Sequence, residues 1–176
     1  DAHLDLPVLE LSLEDFREPH LAIFEELRAC DPSLCVMTTH IVVRGLDPDL
    51  PATLSPRVVR DVLRADLGFD GLVIADDLEM GAIEKHHGVP EAALLAAIAG
   101  HDLLPICHRP DRQRGAADAL QAALDEGRLG IEEHVGAITK IEALATRAAH
   151  ARDAGLPTRD AGAGAAIARD VCESAV

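Results

Sequence analysis

Three short apolar runs, separated by helix-forming stretches, constrain this chain more than anything else in it. They are LCVMTTHIVV (34–43), GLVIAD (71–76) and DLLPICH (102–108). Each is too short for a long helix and lacks a polar–apolar alternation, as expected of strands buried on both faces. Residues 13–29 precede them with Phe16, Ile23, Phe24 and Leu27 at helical spacing. Between the first two runs, Ser55 and Pro56 open a helix as N-cap and first-turn proline. Val58, Val59, Val62, Leu63 and Leu67 form its apolar stripe, and Gly68 ends it. Further helices are predicted over 90–99, closed by Gly100, and over 111–126 and 131–152. The opening DAHLDLPVLELS reads as a loop.

Strand–helix alternation of this kind implies an α/β fold with a parallel sheet and right-handed crossovers. Such sheets present their functional groups at the C-terminal ends of the strands. Here those ends carry His40, the Asp76–Asp77 pair and His108. A (β/α)8 barrel would collect groups in this way, but three strands cannot close one, and a full barrel takes ~250 residues. The expected architecture is part of a barrel, with helices outside.

Composition removes several classes of function. The chain has 31 acidic against 16 basic residues, a net charge of −15, and its basic residues are scattered. A nucleic-acid backbone would be repelled, so no nucleic-acid partner is expected. The longest apolar helix segment, AALLAAIAG (92–100), is far below the ~18 residues that span a bilayer, so no membrane partner is expected. No basic stretch leads into an apolar one at the N-terminus, which favours a cytoplasmic location. Cys30, Cys35, Cys107 and Cys172 lack a Cys-x-x-Cys spacing and read as buried free thiols. His86 and His87, as neighbours, would point apart on a helix; a solvated loop fits them better than a metal site. No metal or cofactor is implied.

Taken singly, the polar residues at the strand ends have ordinary explanations. Asp76–Asp77 suits a turn or a helix cap. His3 suits an exposed terminus, Met80 a core filler, and His40 a hydrogen-bonded core position.

Taken together, they resemble a family. GFDGLVIADDLEMGAI (68–83) resembles the signature of family 3 glycoside hydrolases in their β-N-acetylglucosaminidase branch, close to Gly-Phe-x-Gly-x-x-x-Ser-Asp-Asp-Leu-x-Met. VMTTHIVVRGLDPDLPATLS resembles the preceding barrel strand and loop, where Met-x-x-His and Pro-Ala-Thr-Leu-Ser recur. IAGHDLLPICHRP resembles the last strand, and DAHLDLPVL resembles the Asp-x-His-x-x-x-Pro segment of the acid/base dyad. The four motifs run in order through residues 1–150.

The resemblance implies the C-terminal half of a (β/α)8 TIM barrel over 1–152. Residues 153–176 then form a linker and the possible start of a second domain. It implies Asp76 as nucleophile, His3 as general acid/base and Asp1 as its polarising partner. Met80 would line the N-acetyl pocket, and His40 is grouped with it among substrate-binding residues. The implied reaction is retaining hydrolysis of terminal β-linked N-acetylglucosamine from peptidoglycan- or chitin-derived oligosaccharides. Those residue types suit it: a carboxylate forms the glycosyl-enzyme, and an imidazole titrating near neutrality protonates the leaving oxygen. A histidine leaves less negative charge at the site than a glutamate, so phosphorolysis of the same bond is the alternative enzyme reading. A non-catalytic α/β binding domain is the alternative outside enzymes.

Three departures stand out. Ala75 replaces the usual serine, and His101 replaces the alanine of Ala-Gly-Ala-Asp. The upstream Lys-His-Phe-Pro-Gly-His-Gly stretch that helps hold the sugar is absent. The resemblance therefore implies a fragment of a longer protein, whose missing N-terminal half-barrel is the partner needed to complete the site.

Overall fold

The computed structural model describes residues 1–30 and 34–153. Residues 1–141 form one compact unit; residues 142–176 form another, described through 153. The tail expected to be a linker lies almost wholly outside the described residues.

Elements follow one another as β1 (Val8–Leu9), α1 (Leu13–Phe16), a wide helical turn (Arg17–Leu21), α2 (Ala22–Cys30), β2 (Val36–Met37) and β3 (Val42–Val43). Then come a short 3₁₀ turn (Ala52–Leu54), a helix (Arg57–Asp66), β4 (Val73–Ile74), α3 (Gly81–Glu84), α4 (Val89–Ala99), α5 (Pro110–Asp125) and α6 (Ile131–Asp153). No described helix is long and apolar enough to cross a membrane.

The three apolar runs meet as parallel neighbours. β2 pairs with β4, Val36 opposite Val73 and Met37 opposite Ile74. Ile74 in turn bridges Leu103 in parallel, with Ala75 N donating to Leu103 O at 2.9 Å. The first run is not one strand, however. It breaks after Met37, and Val42–Val43 pairs instead with Val8–Leu9, in the segment expected to be a loop. An unbroken apolar run carries no signal of where its partner changes, and Val8 and Leu9 are exposed, so no burial pattern marks them.

The helix Arg57–Asp66 begins as the sequence predicts: Ser55 Oγ accepts from Val58 N at 3.2 Å. It is wound wider than an α-helix, closing with Leu67 N on Val62 O at 2.9 Å. Val59, Leu63 and Leu67 are buried with Phe69, Val73 and Ala99. α4 is rich in alanine because it is covered on several sides. Ala92, Ala93 and Ala96 pack against Ala75, Leu78 and Ile83, while Leu94 and Ala97 meet Ala123 and Leu129. Gly100 ends it with φ 104°, a left-handed conformation that suits only glycine at low cost.

Two expectations need correction. Ile23 and Phe24, expected on the apolar face of the first helix, are 55% and 39% exposed, and Leu21 is the buried residue there. Of the thiols expected to be buried, Cys35 and Cys107 are free and exposed, because both sit just outside the strands rather than in them, while the Cys30 side chain and Cys172 lie outside the described residues.

Candidate active site

β4 delivers Asp76 to the C-terminal edge of the sheet, and the chain turns at once. Asp77 N donates to Asp76 Oδ1 at 2.8 Å, so the backbone of the second acid steadies the carboxylate of the first. Asp77 is itself gripped on every side. Its Oδ1 accepts from Glu79 N at 3.1 Å and from Cys107 N at 3.3 Å, and its Oδ2 lies 3.6 Å from His108 Nε2. Its carbonyl accepts from Met80 N at 3.0 Å and faces His40 Nε2 at 2.9 Å. The three strand ends therefore converge on Asp77, with Asp76 beside it. Glu79, only 5% exposed, accepts from His108 N and, at 3.4 Å, from Arg109 N, tying the loop after the third strand to the same turn. Nothing in its local sequence marks Glu79 for this role, since its partners lie about thirty residues on.

Asp1 and His3 form a local pair. Asp1 Oδ1 lies 2.9 Å from both His3 N and His3 Nδ1. Because a carboxylate only accepts, it holds the Nδ1–H tautomer and leaves Nε2 outward. Their loop is fastened to the segment that follows the acidic turn. Gly81 N donates to His3 O at 3.2 Å, Ala82 N to Ala2 O at 3.0 Å, and Lys85 Nζ to Leu4 O. His86 Nε2 lies 2.9 Å from Asp5 Oδ1, and this partner holds the Asp5 carboxyl below the usual range. The His86 side chain, expected in a solvated loop, thus helps to seat the loop of His3. A Cβ at Gly81 would lie 2.5 Å from His3 O, so this approach requires glycine. Met80, partly buried, stands at the start of α3 between the acidic turn and Gly81.

His40, grouped by the resemblance with substrate-binding residues, is fully buried, with Nε2 on the Asp77 carbonyl and Nδ1 3.0 Å from Thr53 Oγ1. Both ring nitrogens are engaged inside the protein. Burial pushes its pKa below 6.5, against the opposing pull of the Asp77 carbonyl and the charges of Asp76 and Asp77.

A buried polar chain continues from His40. Thr38 Oγ1 lies 3.1 Å from Thr53 Oγ1 and 2.9 Å from His101 Nε2, and His101 Nδ1 lies 3.0 Å from Ala96 O. Thr38 thus offers one hydroxyl hydrogen to two acceptors. Burial drives His101 from 6.5 to about 4, so it is neutral at physiological pH. Beside it, Asp102 is 6% exposed and accepts from Arg64 Nη2 at 2.7 Å, Val73 N at 2.8 Å and Lys140 Nζ at 3.0 Å. The sequence shows His101 as an oddity but does not reveal this chain, because its partners lie 63 and 13 residues apart.

The chain is similar to known proteins of one family. A β-hexosaminidase of Alkalilimnicola ehrlichii is 36% identical over 111 residues, 63% of this chain and 31% of that protein. One from Stenotrophomonas maltophilia strain K279a is 34% identical over 121 residues, 69% of this chain and 35% of that protein. The chain therefore spans about a third of the length of these relatives. A family 3 β-N-acetylglucosaminidase structure from Paenibacillus sp. str. FPU-7 superposes with a TM-score of 0.81 at 41% identity, covering 85% of this chain and 28% of that one. The family model of the glycosyl hydrolase family 3 N-terminal domain, a TIM-barrel-like α/β fold, matches residues 1–144, and the chain belongs to that family.

Proposed function

We propose that this chain is the C-terminal half of a (β/α)8 barrel in a retaining glycosidase that removes terminal β-linked N-acetylglucosamine. Its substrates are oligosaccharides derived from peptidoglycan or chitin. The observation that carries this reading is the shared frame of two groups. Asp76 ends a parallel strand with its carboxylate steadied by Asp77 N, and the Asp1–His3 loop is seated on Gly81 and Ala82, five and six residues further on. The relatives' names, β-hexosaminidase and β-N-acetylglucosaminidase, support the same chemistry.

In this reading Asp76 attacks the anomeric carbon as the bond to the leaving oxygen breaks, and His3 Nε2 gives that oxygen its proton. His3 then takes a proton from water, whose oxygen displaces Asp76 and restores both groups. Asp1 keeps Nδ1 protonated throughout, so that Nε2 is the atom that exchanges. Met80 borders the N-acetyl pocket. Residues 1–152 belong to the barrel, residues 153–176 lead towards a second domain, and an N-terminal half-barrel completes the sugar site. The exposed apolar residues Met37 on β2 and Leu103, which bridges β4 from its other side, support a sheet that continues on both sides.

The test is turnover of an aryl N-acetyl-β-glucosaminide by the protein expressed from its gene, with Asp76→Ala beside it. Hydrolysis that vanishes in the variant supports the reading. A folded wild type without turnover refutes it and favours the binding-domain alternative. Added phosphate separates the enzyme readings, since phosphorolysis yields the sugar 1-phosphate and hydrolysis the free sugar.

A further inference from the structure

We propose that His40 is a positioning residue for Asp76, acting through the backbone of Asp77, and that Thr53 completes the bonding of its ring. The proposal rests on Asp76 being the nucleophile.

Four observations lead to it. The atom facing His40 Nε2 is a carbonyl oxygen, which only accepts, so Nε2 carries the proton. Nδ1 of the neutral ring is then an acceptor, and the only group opposite it among the described residues is the Thr53 hydroxyl at 3.0 Å. Thr53 donates its hydrogen to that nitrogen and accepts from Thr38 at 3.1 Å. The far side of the Asp77 residue completes the argument: its N–H is spent on Asp76 Oδ1 at 2.8 Å.

The line of force thus runs Thr38, Thr53, His40, Asp77 carbonyl, Asp77 N–H, Asp76 carboxylate. His40 never reaches the sugar. It adds a second donor to a carbonyl already bonded to Met80 N, and so fixes the peptide plane that follows Asp77, while the Asp77 N–H bond to Asp76 fixes the plane before it. A buried imidazole is stiff where water or a long side chain would not be, and a nucleophile displaced by about 1 Å can lose about a hundredfold in rate. Thr53 closes the other side of the ring at Nδ1.

Glutamine and asparagine at position 40 separate this role from simple packing. The amide of His40→Gln reaches the place of Nε2 and can donate to the Asp77 carbonyl. That of His40→Asn reaches only the place of Nδ1. In the protein expressed from its gene, kcat of His40→Asn should fall at least tenfold with KM within twofold, while His40→Gln stays within about threefold of wild type. Long-range proton–nitrogen spectra of histidine-labelled protein should show His40 in the Nε2–H form. Thr53→Val should leave Nδ1 without its donor and lower kcat with the ring still in the Nε2–H form, and Thr53→Ser should restore kcat.

Equal kcat in the Asn and Gln variants overturns the proposal. So does a rise in KM at constant kcat, which would mean substrate contact, or an Nδ1–H tautomer in the wild type. Should the folded wild type show no turnover, the glycosidase reading fails by itself. The spectra then decide the anchor: an Nε2–H form of His40 upholds it, and an Nδ1–H form overturns it.

Discussion

Acid should unfold this protein partly through one residue, His101. Its ring is 8% exposed, and burial lowers its pKa from 6.5 to about 4. Between those values the unfolded chain binds a proton that the folded one refuses. Stability therefore rises with pH in that window: the contribution is whole above about 6.5 and is lost as pH falls towards 4. A depression of this size corresponds to about 3 kcal/mol when fully lost, of which about 1 is gone by pH 5.5 and most by pH 4.5. These are upper figures. A protonated His101 would donate to Thr38 and release the Thr38 hydrogen wholly to Thr53, returning part of the cost. The perturbation is His101→Gln, whose amide can still face Thr38 but does not titrate. The chain has neither Trp nor Tyr, so urea unfolding is best followed by far-ultraviolet circular dichroism. The variant should be less stable than wild type at pH 7.5, and the gap should close by about 2 kcal/mol at pH 4.5. Parallel pH dependence in the two proteins would refute the reasoning, as would an NMR titration of His101 near 6.5.

Two further outcomes follow from buried polar contacts and close approaches. Asp102→Ala leaves Arg64 and Lys140 without their carboxylate and Val73 N without its acceptor, and should cost about 3–5 kcal/mol in urea unfolding. Gly81→Ala puts a methyl group against His3 O and Leu4 O, which are backbone atoms that cannot swing aside. It should cost about 1–3 kcal/mol and reduce turnover at least tenfold, because the loop of His3 must lift. A variant with unchanged kcat would show that the loop is not seated this way during catalysis.

Features formed within a few residues were legible in the sequence, and those formed across the chain were not. The Ser55 cap and the Gly100 stop each involve neighbours, so residue type and spacing suffice, while the Asp1–His3 pair was legible only through the family resemblance. The strand at 71–76 announces itself because Leu72, Val73 and Ala75 are buried. The run 34–43 misleads because one apolar stretch serves two partners, β4 and then β1. The His40 environment was hidden for the same reason. His40, Thr53, Thr38 and His101 each look unremarkable until the fold stacks them, and only then does a buried imidazole lose its freedom to meet a sugar.

The seating of the first five residues on Gly81–His86 also has a bearing on timing. For His3 to leave its post, two main-chain hydrogen bonds must break, together with the Lys85 and His86 contacts. All four lie on the stretch that continues from the turn of Asp76. Such collective loop openings run on microsecond to millisecond scales. The opening and closing of the His3 loop are thus clocked by the segment that carries the Asp76 carboxylate. A change made near one group will be felt in the rhythm of the other.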